Sequence, residues 1–160
     1  MTQTPRARDS YILFTLAGTS YAMPSPDVRH IEMVDQVTAV PNAPAFVDGV
    51  VFSRGQVVPV VNLPARFGFA RAPYDERTRL LVVHADGRTV GLVADTAREF
   101  ITIAASQIHP PHDALRDVSA AYLSGIATIG DRMVLVLDTA EILRSTGGLG
   151  EAVAAPPAHS

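Results

Sequence analysis

Residues Gly49 to Leu63 read GVVFSRGQVVPVVNL. Two Val-rich runs, GVVF and QVVPVVNL, flank a short polar centre, the pattern of two buried β-strands joined by a hairpin turn. Gly55 supplies at that turn a backbone conformation that a side chain would resist. Arg54 beside it is the only charged residue between Asp48 and Arg66. One cation therefore stands at the tip of an otherwise apolar hairpin.

Outward from this hairpin the chain repeats the same vocabulary. YILFTL, YAM, QVTAV, RLLVVHA, RTVGLVA, FITI, GIATI and RMVLVLD are short β segments punctuated by turns such as Ala17-Gly18-Thr19 and Asp86-Gly87. Helix-length amphipathic patterns are almost absent. The exception is DTAEILRS, where Asp138 serves as N-cap and Glu141 closes a capping box, giving a short C-terminal helix. The expected class is all-β.

The segments are also duplicated. APAFVDGV (Ala43 to Val50) has the pattern of SAAYLSGI (Ser119 to Ile126), and the strands that follow close on Asn62 and Asp138. Earlier, Gly18, Tyr21 and Ile31 have the spacing of Gly87, Val90 and Phe100. This order predicts two similar small β-barrels with the join within residues 66–77, and it leaves open whether strands exchange between the halves. A five-stranded barrel alone is at the margin of stability, so two packed together over an apolar seam is the expected arrangement. The turn matching Arg54-Gly55 is Ile129-Gly130-Asp131, which has no arginine. A feature carried by one copy only is less readily explained by the fold.

Composition narrows the function. With 160 residues and 48% hydrophobic content the chain can bury a substantial core. A formal charge of -3 and 13 basic residues spread along the chain, all Arg, offer no footprint for nucleic acid. There is no Cys, which removes thiolate catalysis and cysteine-ligated metals. No apolar run approaches the roughly 20 residues of a membrane helix, and MTQTPRARDS lacks a signal-peptide core; the expected location is cytoplasmic. Residues 1–9 and 147–160 are expected to be disordered tails around a domain at 10–146.

Chemistry-bearing motifs are sparse. There is no G-x-S-x-G elbow, Walker loop or H-E-x-x-H, and no nucleophile, base and orienting group assemble in sequence. His109 and His112 in HPPH have ligand spacing, but intervening prolines and the lack of a third nearby ligand favour a solvated loop. The expectation is no enzyme, no metal and no cofactor. Arg54 reads as either a surface charge or an interface anchor.

The runs VRHI (Val28 to Ile31), DQVTAVPNAPAFVDGVVFSRGQVVPVVNL and AAYLSGIATIGDRMVLVLDTAEIL resemble the CheW family of chemotaxis coupling proteins, and the likeness covers Tyr11 to Ser145. The resemblance implies two SH3-like five-stranded β-barrels. It also implies a non-catalytic scaffold linking the cytoplasmic tips of transmembrane chemoreceptors to the regulatory domain of a CheA-type histidine kinase, with the membrane reached only through partners. Carried over by position, the receptor- and kinase-binding residues are Val28, His30, Gly49, Arg54 and Gly55. The chain departs from the family pattern at His30 (commonly Glu), Phe52-Ser53 (commonly Asn-Leu) and Asn62 (commonly Asp). His30 would lose or reverse an acidic contact and Phe52 would add apolar area, so a chemosensory system other than flagellar chemotaxis is an alternative. A small-molecule-binding barrel is a more distant one, since no convergent set of polar groups is legible.

Overall fold

In the computed structural model, residues 10–110 and 122–144 are described. The strands are β1 (Ser10–Leu16), β2 (Thr19–Pro24), β3 (Val28–Met33), β4 (Val47–Ser53), β5 (Gln56–Asn62), β6 (Arg79–Ala85), β7 (Arg88–Ala94), β8 (Thr96–Thr102), β9 (Ile108–His109), β10 (Leu123–Ile129) and β11 (Arg132–Leu137). Two short helices, α1 (Leu63–Arg66) and α2 (Thr139–Arg144), follow β5 and β11. The expected tails and His112 lie outside the described residues.

Two sheets form, in the orders β8-β1-β2-β11-β10-β9 and β3-β6-β7-β5-β4. The duplicated order of strands is present, but each sheet draws on both halves of the chain. The hairpin β1-β2 joins the C-terminal strands through a parallel seam in which Ser20 and Ala22 face Val134 and Val136. The hairpin β6-β7 joins the N-terminal strands through the matching seam, Val60 against Gly91 and Asn62 against Val93. Strand exchange, left open by the sequence, is the arrangement adopted. Residues 66–77 accordingly link β5 to β6 within one sheet, and do not separate two contiguous barrels.

Exchange explains why YILFTL and RLLVVHA lack the alternation of a half-buried strand: β1 and β6 are apolar on both faces because both are covered. Tyr11 and Leu13 of β1 point into the first barrel with Ala127, Val134 and Val136. Leu80 and Val82 of β6 point into the second with Val51, Val58 and Val60. Their other faces, Ile12, Phe14 and Leu16 with Leu81 and Val83, meet in a central core shared by the two barrels. Burying each such side chain stabilises by roughly 1.5–3 kcal/mol, so separating the sheets would forfeit the largest apolar interface.

The segment QVTAV, expected to be a strand, makes one bridge. Thr38 and Val50 exchange two backbone hydrogen bonds of 2.8 Å, extending pairing along β4. The first barrel repeats this with β9, where His109 faces Ile126. Proline at 41 and 44 and the positive φ of Asn42, 61°, stop QVTAV from continuing as a strand.

The helical turns match their caps. Asp138 Oδ1 accepts from the Glu141 amide at 3.1 Å, as the N-cap role requires, while the Glu141 carboxylate pairs with Arg144. Asn62 Oδ1 caps α1 by accepting from the Ala65 amide at 3.0 Å, and its amide Nδ2 donates to Asp48 at 3.0 Å. This explains why asparagine stands at 62: aspartate there would set two carboxylates against each other and could not donate. Asp48 also accepts from Arg71 and from the Tyr74 hydroxyl, which pins the connection between β5 and β6.

Burial raises the Tyr74 pKa above its ordinary value, reinforced by its hydrogen bond to Asp48 and that carboxylate's charge and opposed by Arg71. The folded state therefore holds this proton more tightly than the unfolded chain. The resulting stability is complete below about pH 10 and drains away as pH rises towards the folded value. Tyr74→Phe should melt earlier in urea at neutral pH, and between about pH 9 and 11 should lose stability less steeply than the wild type.

Candidate functional site

The β4-β5 hairpin closes with Ser53 opposite Gln56 and, one pair further back, Phe52 opposite Val57. Phe52 is 76% and Val57 63% exposed, an apolar pair at the outer surface of the hairpin. The turn residues Arg54 and Gly55 have φ of 47° and 88°. Both central residues are thus left-handed, the type I′ geometry whose twist matches the flanking strands. Glycine adopts it freely, whereas a Cβ there costs on the order of 1 kcal/mol. The sequence assigned the special conformation to Gly55 alone; Arg54 shares it. In the matching turn of the other barrel the left-handed position is Gly130, φ 62°. The strained arginine thus belongs to one copy.

The other expected site residues fall in two environments. His30, on β3, faces the second barrel's interior, with Nε2 3.1 Å from Ser53 Oγ and 3.0 Å from Glu32 Oε2. Ser53 is buried and donates to Glu32 at 3.1 Å. Val28 begins the same strand but faces the central core, because a bulge between Val28 and His30 shifts the register against β6. Gly49 is buried under the chain that crosses β4: a Cβ there would lie 2.0 Å from the Thr38 carbonyl oxygen. Gly125 shows the same crowding, its Cβ position 2.8 Å from the His109 carbonyl oxygen. Being common to both copies, this close approach is a requirement of the barrel.

The fold therefore gathers His30, Arg54 and Gly55 at one end of the second barrel and sets Val28 and Gly49 into packing positions. Glu32 and Val57 are not legible as site residues in the sequence, and Ser53 stands out there only as a departure from the family pattern. Val57 follows from pairing the hairpin outward from its turn, whereas the meeting of Glu32 with Ser53 is long-range and leaves no local signal.

Serine, histidine and a carboxylate together invite comparison with a nucleophilic triad. Here the Ser53 hydroxyl donates a hydrogen bond to Glu32, and both approach the same imidazole nitrogen, the arrangement of a hydrogen-bonded cluster and not of a triad. Among the described residues no group of three or more His, Asp or Glu is placed to hold a metal ion, and no helix is long and apolar enough to cross a membrane. A cavity of about 460 Å³ opens at the junction of the barrels, walled by Tyr21, Phe67, Phe69, Tyr122 and Leu135. At its edge the Arg66 guanidinium lies 5.0 Å from the Phe46 ring and 5.3 Å from the Tyr122 ring, residues equivalent in the repeat. This cation–π clamp ties the two halves together.

The sequence model of the CheW-like domain family matches residues 10–147. The chain belongs to that family. It is similar to the chemotaxis protein CheW of Klebsiella aerogenes, 33% identical over 135 residues that cover 84% of this chain and 81% of that protein. It is also similar to protein FrzA of Myxococcus xanthus, 30% identical over 121 residues that cover 76% of this chain and 75% of that protein. The crystal structure of the scaffolding protein TtCheW from Thermoanaerobacter tengcongensis superposes with a TM-score of 0.78 at 27% identity, covering 87% of this chain and 88% of that one. The two-barrel fold expected from the resemblance is thus present, with the two-residue β9 added to the first sheet. The CheW-like chain is a chemosensory signal-transduction adaptor.

Gly49→Ala should destabilise by roughly 2–4 kcal/mol, since the obstructing atom is backbone. Arg54→Asn should instead raise the melting temperature slightly, by the equivalent of roughly 0.5–1 kcal/mol, because asparagine tolerates the left-handed region. Thermal melts of both variants check this. Equal destabilisation would show that the arginine is there for the fold.

Proposed function

We propose that this adaptor couples the cytoplasmic signalling tip of a transmembrane chemoreceptor to the regulatory domain of a CheA-type histidine kinase. It acts as a cytoplasmic, non-catalytic scaffold without cofactor, nucleic acid or direct membrane insertion. The carrying observation is Arg54, held in a disfavoured backbone conformation at a hairpin tip beside exposed Phe52 and Val57, in one copy of the repeat only. Ala17 and Asp86 hold the same left-handed place in the β1-β2 and β6-β7 turns, so the conformation belongs to the fold and it is the exposed arginine side chain that the fold leaves unexplained. Arginine flanked by apolar surface is the composition of an interface anchor, and arginine donates to the backbone carbonyls and carboxylates of a helical tip. Gly55 keeps the turn tight, while Val28, His30 and Gly49 hold the surrounding strands. Each contact is small, and firm association comes from linking two partners in an array.

The test is co-sedimentation of the purified protein with receptor signalling domains and the CheA-type kinase of the same genome. A ternary complex that raises kinase activity is expected, and Arg54→Glu should weaken its receptor arm at least about tenfold, or 1.4 kcal/mol. Failure of the folded wild type to bind either partner would overturn the coupling. The likeness to FrzA, at an identity close to that of the CheW relative, favours a second reading in which the receptor and kinase belong to another chemosensory system. Running the assay with every receptor-kinase pair of the genome separates the two.

A further inference from the structure

The two barrels close their open edges with different chemistry. In the second barrel β3 and β4 are at opposite ends of the sheet order. His30 and Glu32 of β3 nevertheless reach Ser53 of β4, within 3.1 Å in every pairing of the three. The repeat places Glu99, Ile101 and Ile129 at the corresponding positions of the first barrel. There Ile101 and Ile129 pack on the barrel core, beside a cavity of about 520 Å³ also lined by Leu13 and Val134. Glu99, Asp131 and Arg132 line the same cavity, so this barrel has an apolar pair with charged residues beside it where the second barrel has a hydrogen-bonded trio. The trio, with Ser53 buried and His30 and Glu32 part-exposed, is specific to the second barrel and asks for a reason of its own.

Its location supplies one. Ser53 is the last paired residue before Arg54, and it is 4% exposed. A hydroxyl fixed from β3 on one side fixes the origin of the turn. The next residue, Arg54, is held at a φ of 47°. We infer that His30, Glu32 and Ser53 form a positioning latch that holds the Arg54-Gly55 turn against β3 and so sets the affinity of Arg54 for its partner. The inference rests on the reading of Arg54 as a partner contact. None of the three is itself the contact; they act through the backbone of the turn.

The test uses the full chain and two variants that break the latch, with Arg54→Glu and Ser53→Thr as controls. Ser53→Ala removes the shared hydroxyl, and the triple change His30→Glu, Glu32→Ile, Ser53→Ile transplants the first barrel's residues. Backbone relaxation by NMR reads the turn in the free protein, and titration with the cytoplasmic tip fragment of a receptor from the same genome reads binding, with Arg54→Glu alongside. Both variants should stay folded, with melting temperatures within about 5 °C of wild type. Their Arg54 and Gly55 amide order parameters should fall from about 0.85 to below about 0.6. Affinity should drop roughly tenfold, as for loss of one or two ordered hydrogen bonds. Ser53→Thr, which keeps the hydroxyl, should restore both readings, which a cavity effect alone would not produce. Unchanged order at Arg54 and Gly55 overturns the latch whatever happens to binding. A loosened turn with wild-type affinity overturns its role in binding, provided Arg54→Glu binds weakly. If Arg54→Glu binds as well as wild type, the contact role of Arg54 fails instead, and the loosened turn still supports the latch as a device of the fold. Should the triple variant fail to fold, Ser53→Ala decides.

Discussion

Neither sheet can form from one half of the chain alone. The hairpin β1-β2 is lent to the C-terminal strands and β6-β7 to the N-terminal ones, each through a short parallel seam to β11 or β5. Everything else depends on this exchange. It covers β1 and β6 on both faces, creates the central core of Ile12, Phe14, Leu81, Val83 and Leu92, and makes the two barrels a single cooperative unit. The Arg66 guanidinium between Phe46 and Tyr122 adds a cross-half contact at the seam.

Because the halves are near copies, each acts as a control for the other. What they share is what the barrel demands: buried Gly49 and Gly125 beneath a crossing backbone, the caps at Asn62 and Asp138, and left-handed turns after β1 and β6. What they do not share lies at one end of the second barrel. There an arginine occupies a position suited to glycine or asparagine, an apolar pair faces solvent, and a serine, a histidine and a glutamate meet where the other barrel has two isoleucines and a glutamate. Three of the four departures from the family pattern, His30, Phe52 and Ser53, fall in this same region. In an adaptor, such a local difference is where partner choice is expected to reside.

Parts of this were legible in the residues. The Val-rich runs around Arg54 and Gly55 marked a hairpin, and turn chemistry at Gly18, Gly55 and Gly87 located its relatives. The conformation of Arg54 was not legible, since a two-residue turn can also be built with glycine as its only left-handed residue. The contact between Glu32 and Ser53 was hidden because the two are distant in sequence. The face of His30 was hidden as well, because the bulge after Val28 reverses which side of β3 the following residues take.

The sequence by itself determined most of the strands and the turns between them, which follow from periodicity and backbone preference acting over a few residues, though β3 escaped it and QVTAV proved to be a single bridge. The duplication and the family likeness it carried in its motifs. Only the tertiary structure decided which half each hairpin joins, which glycines lie beneath another strand, and which side chains surround Arg54. A duplicated chain offers contiguous and exchanged pairings with nearly the same local energies. The choice between them rests on burial against the shared core, a long-range term that no single segment encodes.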